Sequence, residues 1–251
     1  MGQNNKTRIA SLSKASMLSA IGVTMMFGLG VFLQVLGVGS GAGITMLYGF
    51  IFWLLGLYYI SAAYKDANNS VSEKFGKLFK LQLYMVVAVV VYIVVILLAA
   101  SGMSGDAPIT LVKLLTFVLL GYTLYVGWCC RNESLSLREN GLKSMGLVAN
   151  SFTILLVVQA VFAVIILVIL CSDRMSYMSA FSDMFDLRYR YGSPIGILFL
   201  MLLGAIAWFV AAAFMIAGWW SVRSELPNLL EEVPAEAMKE GNENDSEASE
   251  F

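Results

Sequence analysis

The sequence predicts an all-α fold: a polytopic integral membrane protein in which six transmembrane helices form three antiparallel hairpins linked by short cytoplasmic interfacial helices. Three observations predict it. Of 251 residues, 59% are hydrophobic and only 13% charged, against roughly 25% charged in soluble domains. Six apolar runs each reach the length of about 20 residues that crosses some 30 Å of hydrocarbon. Charge returns between the runs, and no Asp, Glu or Arg falls inside one.

The predicted spans cover 15–37, 43–64, 81–101, 108–130, 146–171 and 194–220, within a membrane domain of residues 15–222. The third run, MVVAVVVYIVVILLAA, is rich in β-branched residues that favour strand in water. It lacks alternation and is too long for one strand, so helix is expected in lipid. The roughly 10-residue alternating segments of a membrane β-barrel are absent from the sequence.

Lys and Arg bias orients the spans. Lys6, Arg8 and Lys14, then Lys65, Lys74, Lys77 and Lys80, then Arg131, Arg138 and Lys143, with Arg223 and Lys239, place twelve bases on one side. Lys113, Arg174, Arg188 and Arg190 place four on the other. Both termini are expected in the cytoplasm, and the bacterial cytoplasmic (inner) membrane is the expected location. Residues 1–14 form the cytoplasmic N-terminal segment; MGQNNKTRIA precedes no small-residue cleavage site, so the first run is expected to be retained. Residues 223–234 are expected to form a short juxtamembrane helix ended by Pro234, and 235–251 a disordered acidic tail. Nine of the seventeen acids lie in the last 27 residues.

The inner links carry an internal repeat. At a constant offset of 66, Tyr59 matches Tyr125, Lys65 matches Arg131, Ser70 matches Ser136, Glu73 matches Glu139 and Lys77 matches Lys143. A further offset of 92 brings Trp128 onto Trp220, Arg131 onto Arg223, Ser136 onto Asn228 and Glu139 onto Glu231. Each copy reads as an edge aromatic at headgroup level, a base beyond it, and a Ser/Asn-x-x-Glu spacing that predicts a capped helix start. In the first link, Phe75, Leu78 and Phe79 alternate with Lys74, Lys77 and Lys80, which predicts a helix lying in the interface.

Within the second copy, WCCR (128–131) reads as the inner boundary of the fourth span. Cys129, Cys130 and Cys171 lack histidine partners, because the chain has none, so no metal site is expected and Cys129–Cys130 read as small hydrophobes. Residues 37–42 match a dinucleotide fingerprint, but they join two spans and not a strand to a helix. No cofactor and no nucleic-acid contact is expected.

Polar residues inside spans are the first functional candidates. Lys113, Gln34, Gln159 and Asn150 are the set. Lys113 is one turn inside its span and can extend outward, and a mid-membrane Gln ordinarily bonds a neighbouring helix. The longest outer segment, 172–193, carries Met175, Tyr177, Met178, Phe181, Phe185, Arg188, Tyr189, Arg190 and Tyr191, residue types enriched at protein interfaces. It reads as an interfacial helix or as a docking surface for a protein partner, with the acidic tail as a second one.

These features predict a non-catalytic membrane protein: a scaffold, assembly factor or subunit of a membrane complex. The alternative is a small-molecule transporter or channel built from the three repeated hairpins, with Gln34, Gln159 and Asn150 lining a polar axis. Missing intramembrane carboxylates weigh against proton or sodium coupling. An enzyme acting on lipid headgroups has only Asp173, Asp183 and Asp186 as an outer group, in no recognised pattern.

Overall fold

In a computed structural model, residues 2–65, 68–102, 107–171 and 194–231 are described. All regular structure among them is helical: α1 (Gly2–Val23), a π-helical turn (Thr24–Leu29), α2 (Gly30–Val35), α3 (Gly39–Tyr64), α4 (Asn69–Gly102), α5 (Ala107–Glu139), α6 (Met145–Cys171) and α7 (Pro194–Glu231). Among the described residues, six helical stretches are long and apolar enough to cross a membrane, the first running through α1, the π turn and α2. The chain is therefore a multi-pass helical protein of the integral membrane class.

The helices are longer than the spans read from composition. The first link does not form a separate helix, since residues 69–80 are the opening turns of α4. Residues 131–139 likewise continue α5, and 223–231 continue α7. A continuous helix keeps every backbone hydrogen bond internal, so a change from apolar to polar side chains gives no reason for a break. Ser70 is not the cap expected from the spacing: the Asn68 side chain accepts from the Val71 N–H at 3.2 Å, two residues earlier. Ser136 and Asn228 sit inside their helices.

Two helix ends use glycine for a conformational reason. Gly37 has φ +77° and Gly141 has φ +100°, beyond the reach of most L side chains. At each, two carbonyls of the last turn are recovered: Val38 N–H bonds Leu33 O and Gly37 N–H bonds Gln34 O, while Leu142 N–H bonds Leu137 O and Gly141 N–H bonds Arg138 O. This is the Schellman pattern, and at the second site Leu137 and Leu142 are both fully buried.

The π turn has a local cause. Thr24 Oγ1 donates to Ala20 O at 2.8 Å, and the Gly30 N–H reaches back five residues to Met25 O. Threonine bonding to the preceding turn loosens the α-helical ladder.

Two compact units divide the chain. The first comprises residues 1–77, 135–146 and 216–251. Its seam is α1 on α3, where the backbones touch: a Cβ at Gly22 would lie 2.5 Å from both Gly49 O and Trp53 N, and one at Gly56 would lie 2.8 Å from Ser19 N. Glycine at these positions lets helices approach where lipid offers no hydrophobic drive. Trp219 is the largest fully buried side chain, edge-on to Trp53 at 6.4 Å and tilted on Phe75 at 6.5 Å. Phe75 thus packs into protein and not onto a lipid surface.

The second unit comprises residues 78–134 and 147–215. Its helices meet through sparse polar bridges. Gln82 Nε2 donates to Cys130 Sγ at 3.1 Å, Tyr92 and Thr116 hydroxyls lie 2.7 Å apart, Arg131 Nε donates to Thr153 Oγ1 at 2.9 Å, and Ser151 Oγ donates to Ala211 O at 2.7 Å. Much of its apolar surface is exposed: in the most apolar stretch of α4 no residue is buried. Exposed Leu, Ile and Val in that amount suit hydrocarbon or partner helices as the surroundings, not water.

Candidate functional site

The four polar candidates do not share a unit: Gln34 belongs to the first, and Lys113, Asn150 and Gln159 to the second. Gln34 on α2, Asn150 and Gln159 on α6 are all exposed, and Lys113 on α5 is half-buried. None of the three amide side chains bonds a described residue. Gln159 lies beside Gly127 of α5, where an added Cβ would stand 3.8 Å from its Oε1. The outer-segment candidates Met175, Tyr177, Met178, Phe181, Phe185, Arg188, Tyr189, Arg190 and Tyr191 lie outside the described residues, as does the acidic tail.

What the first unit does bring together is a set of polar contacts that the sequence did not announce. Glu225 of α7 accepts from the Ser144 N–H at 3.0 Å and from the Ser144 hydroxyl at 2.6 Å. Ser144 immediately precedes α6, so the carboxylate meets a helix N-terminus, where negative charge is favoured. A serine beside a carboxylate also resembles a nucleophile with its base. Here the backbone N–H shares the same carboxylate, which is the geometry of capping, and no third group among the described contacts orients the acid.

Close by in the same unit, the Tyr64 hydroxyl donates to Leu226 O at 2.5 Å. Pro227, the next residue, has no N–H to offer the Arg223 carbonyl, so α7 is one backbone bond short beside this contact. Ser61 and Ser72 exchange hydroxyl-to-carbonyl bonds at 2.8 and 2.7 Å. Lys74 donates to the Ser136 hydroxyl, joining the opening turns of α4 to the last turns of α5. Trp220 Nε1 donates to Thr24 Oγ1 at the start of the π turn, and the Arg223 guanidinium stands 5.4 Å from the Trp220 ring centroid.

Among the described residues, three buried side-chain polar atoms have no partner: Ser19 Oγ, Trp53 Nε1 and Trp219 Nε1. The cysteines of WCCR sit within α5, nine residues before its end; Cys130 is buried and Cys129 half-buried. No group of three His, Cys, Asp or Glu among the described residues is placed to hold a metal ion.

An open concavity lies on the first unit. It has a volume of 560 Å³ and is lined by Ser11, Lys14, Ala15 and Leu18 of α1 and by Tyr59, Ala62 and Ala63 of α3. None of the predicted site residues lines it.

Fold and contacts define a multi-pass helical membrane protein without an assembled catalytic constellation among its described residues. Compared with known proteins, the chain matches no family model, no curated protein and no solved structure.

Proposed function

We propose that this protein is a non-catalytic subunit, scaffold or assembly factor of a membrane complex. The observation that carries the reading is the outward placement of Gln34, Asn150 and Gln159. A polar amide facing hydrocarbon lacks partners, and a helix from another protein supplies them, at about 0.6–2 kcal/mol per bond. The sparse burial of α4 and α5 leaves further surface for such helices.

The three-hairpin arrangement belongs to this reading. It is supported by contacts that pair successive helices in opposite sequence sense: Gly22 with Gly49 and Ser19 with Gly56; Gln82 with Cys130 and Tyr92 with Thr116; Ser151 with Ala211 and Phe162 with Gly204. The edge aromatics Tyr59, Tyr125, Trp128 and Trp220 are exposed, as headgroup-level rings would be. Basic links on one side support cytoplasmic termini and a bacterial inner-membrane location. The outer segment 172–193 and the acidic tail are the proposed partner surfaces outside the bilayer. A transporting axis has less to stand on, because the amides that would line it are exposed on the helices that carry them.

The test is crosslinking in intact cells from the exposed position 160, beside Gln159, and from segment 172–193. Discrete, reproducible protein adducts, lost when Gln159 is replaced by Leu in the first case, are expected. A chain that crosslinks only to lipid and always migrates alone after gentle solubilisation overturns the proposal.

A further inference from the structure

We propose that the groove between α1 and α3 is a binding site for one anionic phospholipid, with the headgroup phosphate at Lys14 and an acyl chain along Ala15 and Leu18. This rests on the membrane reading above and adds a ligand to it.

Three features point the same way. The first is shape. α1 and α3 are pressed together at Gly22–Gly49 and Ser19–Gly56, while the neighbouring lining is Ala15, Ala62 and Ala63, whose single methyl groups leave the 560 Å³ open. That volume falls within the range of roughly 300–1,000 Å³ typical of small-molecule sites.

The second is the order of polarity. Ser11 and Lys14 precede the first predicted span, and Ala15 and Leu18 lie inside it; Ala62 and Ala63 lie at the end of the second span, and Tyr59 one turn deeper. The groove therefore runs from charged to apolar across the level where headgroup gives way to acyl chain. An amphiphile has that sequence of chemistries, whereas a soluble anion satisfies only its first step.

The third is charge. Lys14 is the one ionised side chain in the lining, it is exposed, and it makes no ion pair with a described residue. Basic pockets between spanning helices at the membrane rim recognise anionic headgroups. The Tyr59 ring, half-exposed at the same groove, is the amphipathic type that rests at headgroup depth.

The experiment is native mass spectrometry of the full chain in a zwitterionic detergent, titrated with phosphatidylglycerol or with phosphatidylcholine. One phosphatidylglycerol is expected to be retained in preference to phosphatidylcholine. Lys14→Gln is expected to lower that retention about fivefold, and Ala62→Trp, which fills the groove with Lys14 intact, to abolish it. Lys80→Gln, which removes a base elsewhere, leaves it unchanged. Equal retention by the unaltered chain and Lys14→Gln overturns the proposal, and so does displacement of the lipid by inorganic phosphate. If Ala62→Trp loses helical circular dichroism, the Lys14→Gln comparison decides alone. Alkaline carbonate extraction separates the two readings: a chain that stays with membranes yet shows no phosphatidylglycerol preference sinks only the lipid site, whereas a chain released into the soluble fraction sinks the membrane reading with it.

Discussion

The Glu225 carboxylate holds Ser144 across 81 residues of sequence, taking both its backbone N–H and its hydroxyl. The contact ties α7 to the first turn of α6, and its strength comes from an ionised acceptor facing a helix N-terminus. Glu225→Gln keeps the shape and removes the charge, so a loss of about 1 kcal/mol in unfolding free energy is expected. Glu225→Ala, which strands the donors, is expected to cost about 1.5–3 kcal/mol. Urea unfolding in detergent, followed by tryptophan fluorescence, measures both. An unchanged midpoint in the alanine variant would show that the contact contributes nothing.

The α1–α3 seam makes a sharper contrast. A Cβ on Gly56 would fall 1.9 Å from Ser19 Oγ, 2.8 Å from Ser19 N and 2.9 Å from Ala15 O. The hydroxyl can rotate away; the backbone atoms cannot. Gly56→Ala is therefore expected to destabilise by about 1–3 kcal/mol, the cost of overpacking. Gly121→Ala in α5 meets nothing within 4 Å and is expected to be neutral or slightly stabilising, because alanine is the better helix former. If both changes behave alike under thermal unfolding, the seam is not as tight as described.

Two tryptophans near predicted span ends play opposite parts. Trp219 is 1% exposed, between Trp53 and Phe75, whereas Trp128 is 54% exposed. Trp219→Ala is expected to cost about 3–5 kcal/mol through lost contacts and the cavity left behind. Trp128→Ala should stay within about 0.5 kcal/mol in detergent, as surface changes do. Reversed outcomes in the same unfolding assay would invert the packing of α5 and α7.

The six spans were legible because length and apolarity alone define them, and neither depends on which face packs. What was not legible follows from the same fact. Helices that are apolar all round carry no stripe to show their buried side, so Gly49, Gly56 and the Trp53–Trp219 contact had no periodic signal. Link boundaries failed for another reason. Ser136 and Asn228 have capping chemistry, but the helices run through them, since polar side chains at a membrane edge do not interrupt backbone hydrogen bonding; at Ser70 a helix does start, with the cap two residues earlier at Asn68. Glu225 was read as one acid among those of the C-terminal region; only the fold sets it against α6. Gln34, Asn150 and Gln159 were legible as polar residues in spans, yet their exposure is a property of packing and could not be read from position.

The two left-handed glycines offer a graded test. Gly37→Ala faces open space, so its cost is conformational strain alone, about 1–2 kcal/mol. Gly141→Ala meets the same strain and also brings a methyl group 2.9 Å from Leu229 Cδ2. It is expected to be the more damaging change, with Gly37→Asn partly restoring the loss of Gly37→Ala because asparagine tolerates the left-handed region. Equal losses at 37 and 141 would count against the Leu229 contact, and no loss at either would contradict the positive φ angles.

Gln159 connects stability to the proposed role. Its side chain is exposed near the middle of the predicted fifth span and bonds no described residue. Removing it therefore takes nothing from the isolated chain. Gln159→Leu is expected to leave the unfolding midpoint in detergent unchanged, or raise it slightly, since leucine suits hydrocarbon better than an unpaired amide. In membranes the same change is expected to weaken association with a partner helix by about 0.6–2 kcal/mol, a threefold to thirtyfold shift in the assembled fraction. Native gels of solubilised membranes, run beside detergent unfolding, read the two quantities separately. A variant that unfolds earlier but assembles as before assigns Gln159 to the chain's own packing, and the outward-facing amide would then support no partner at all.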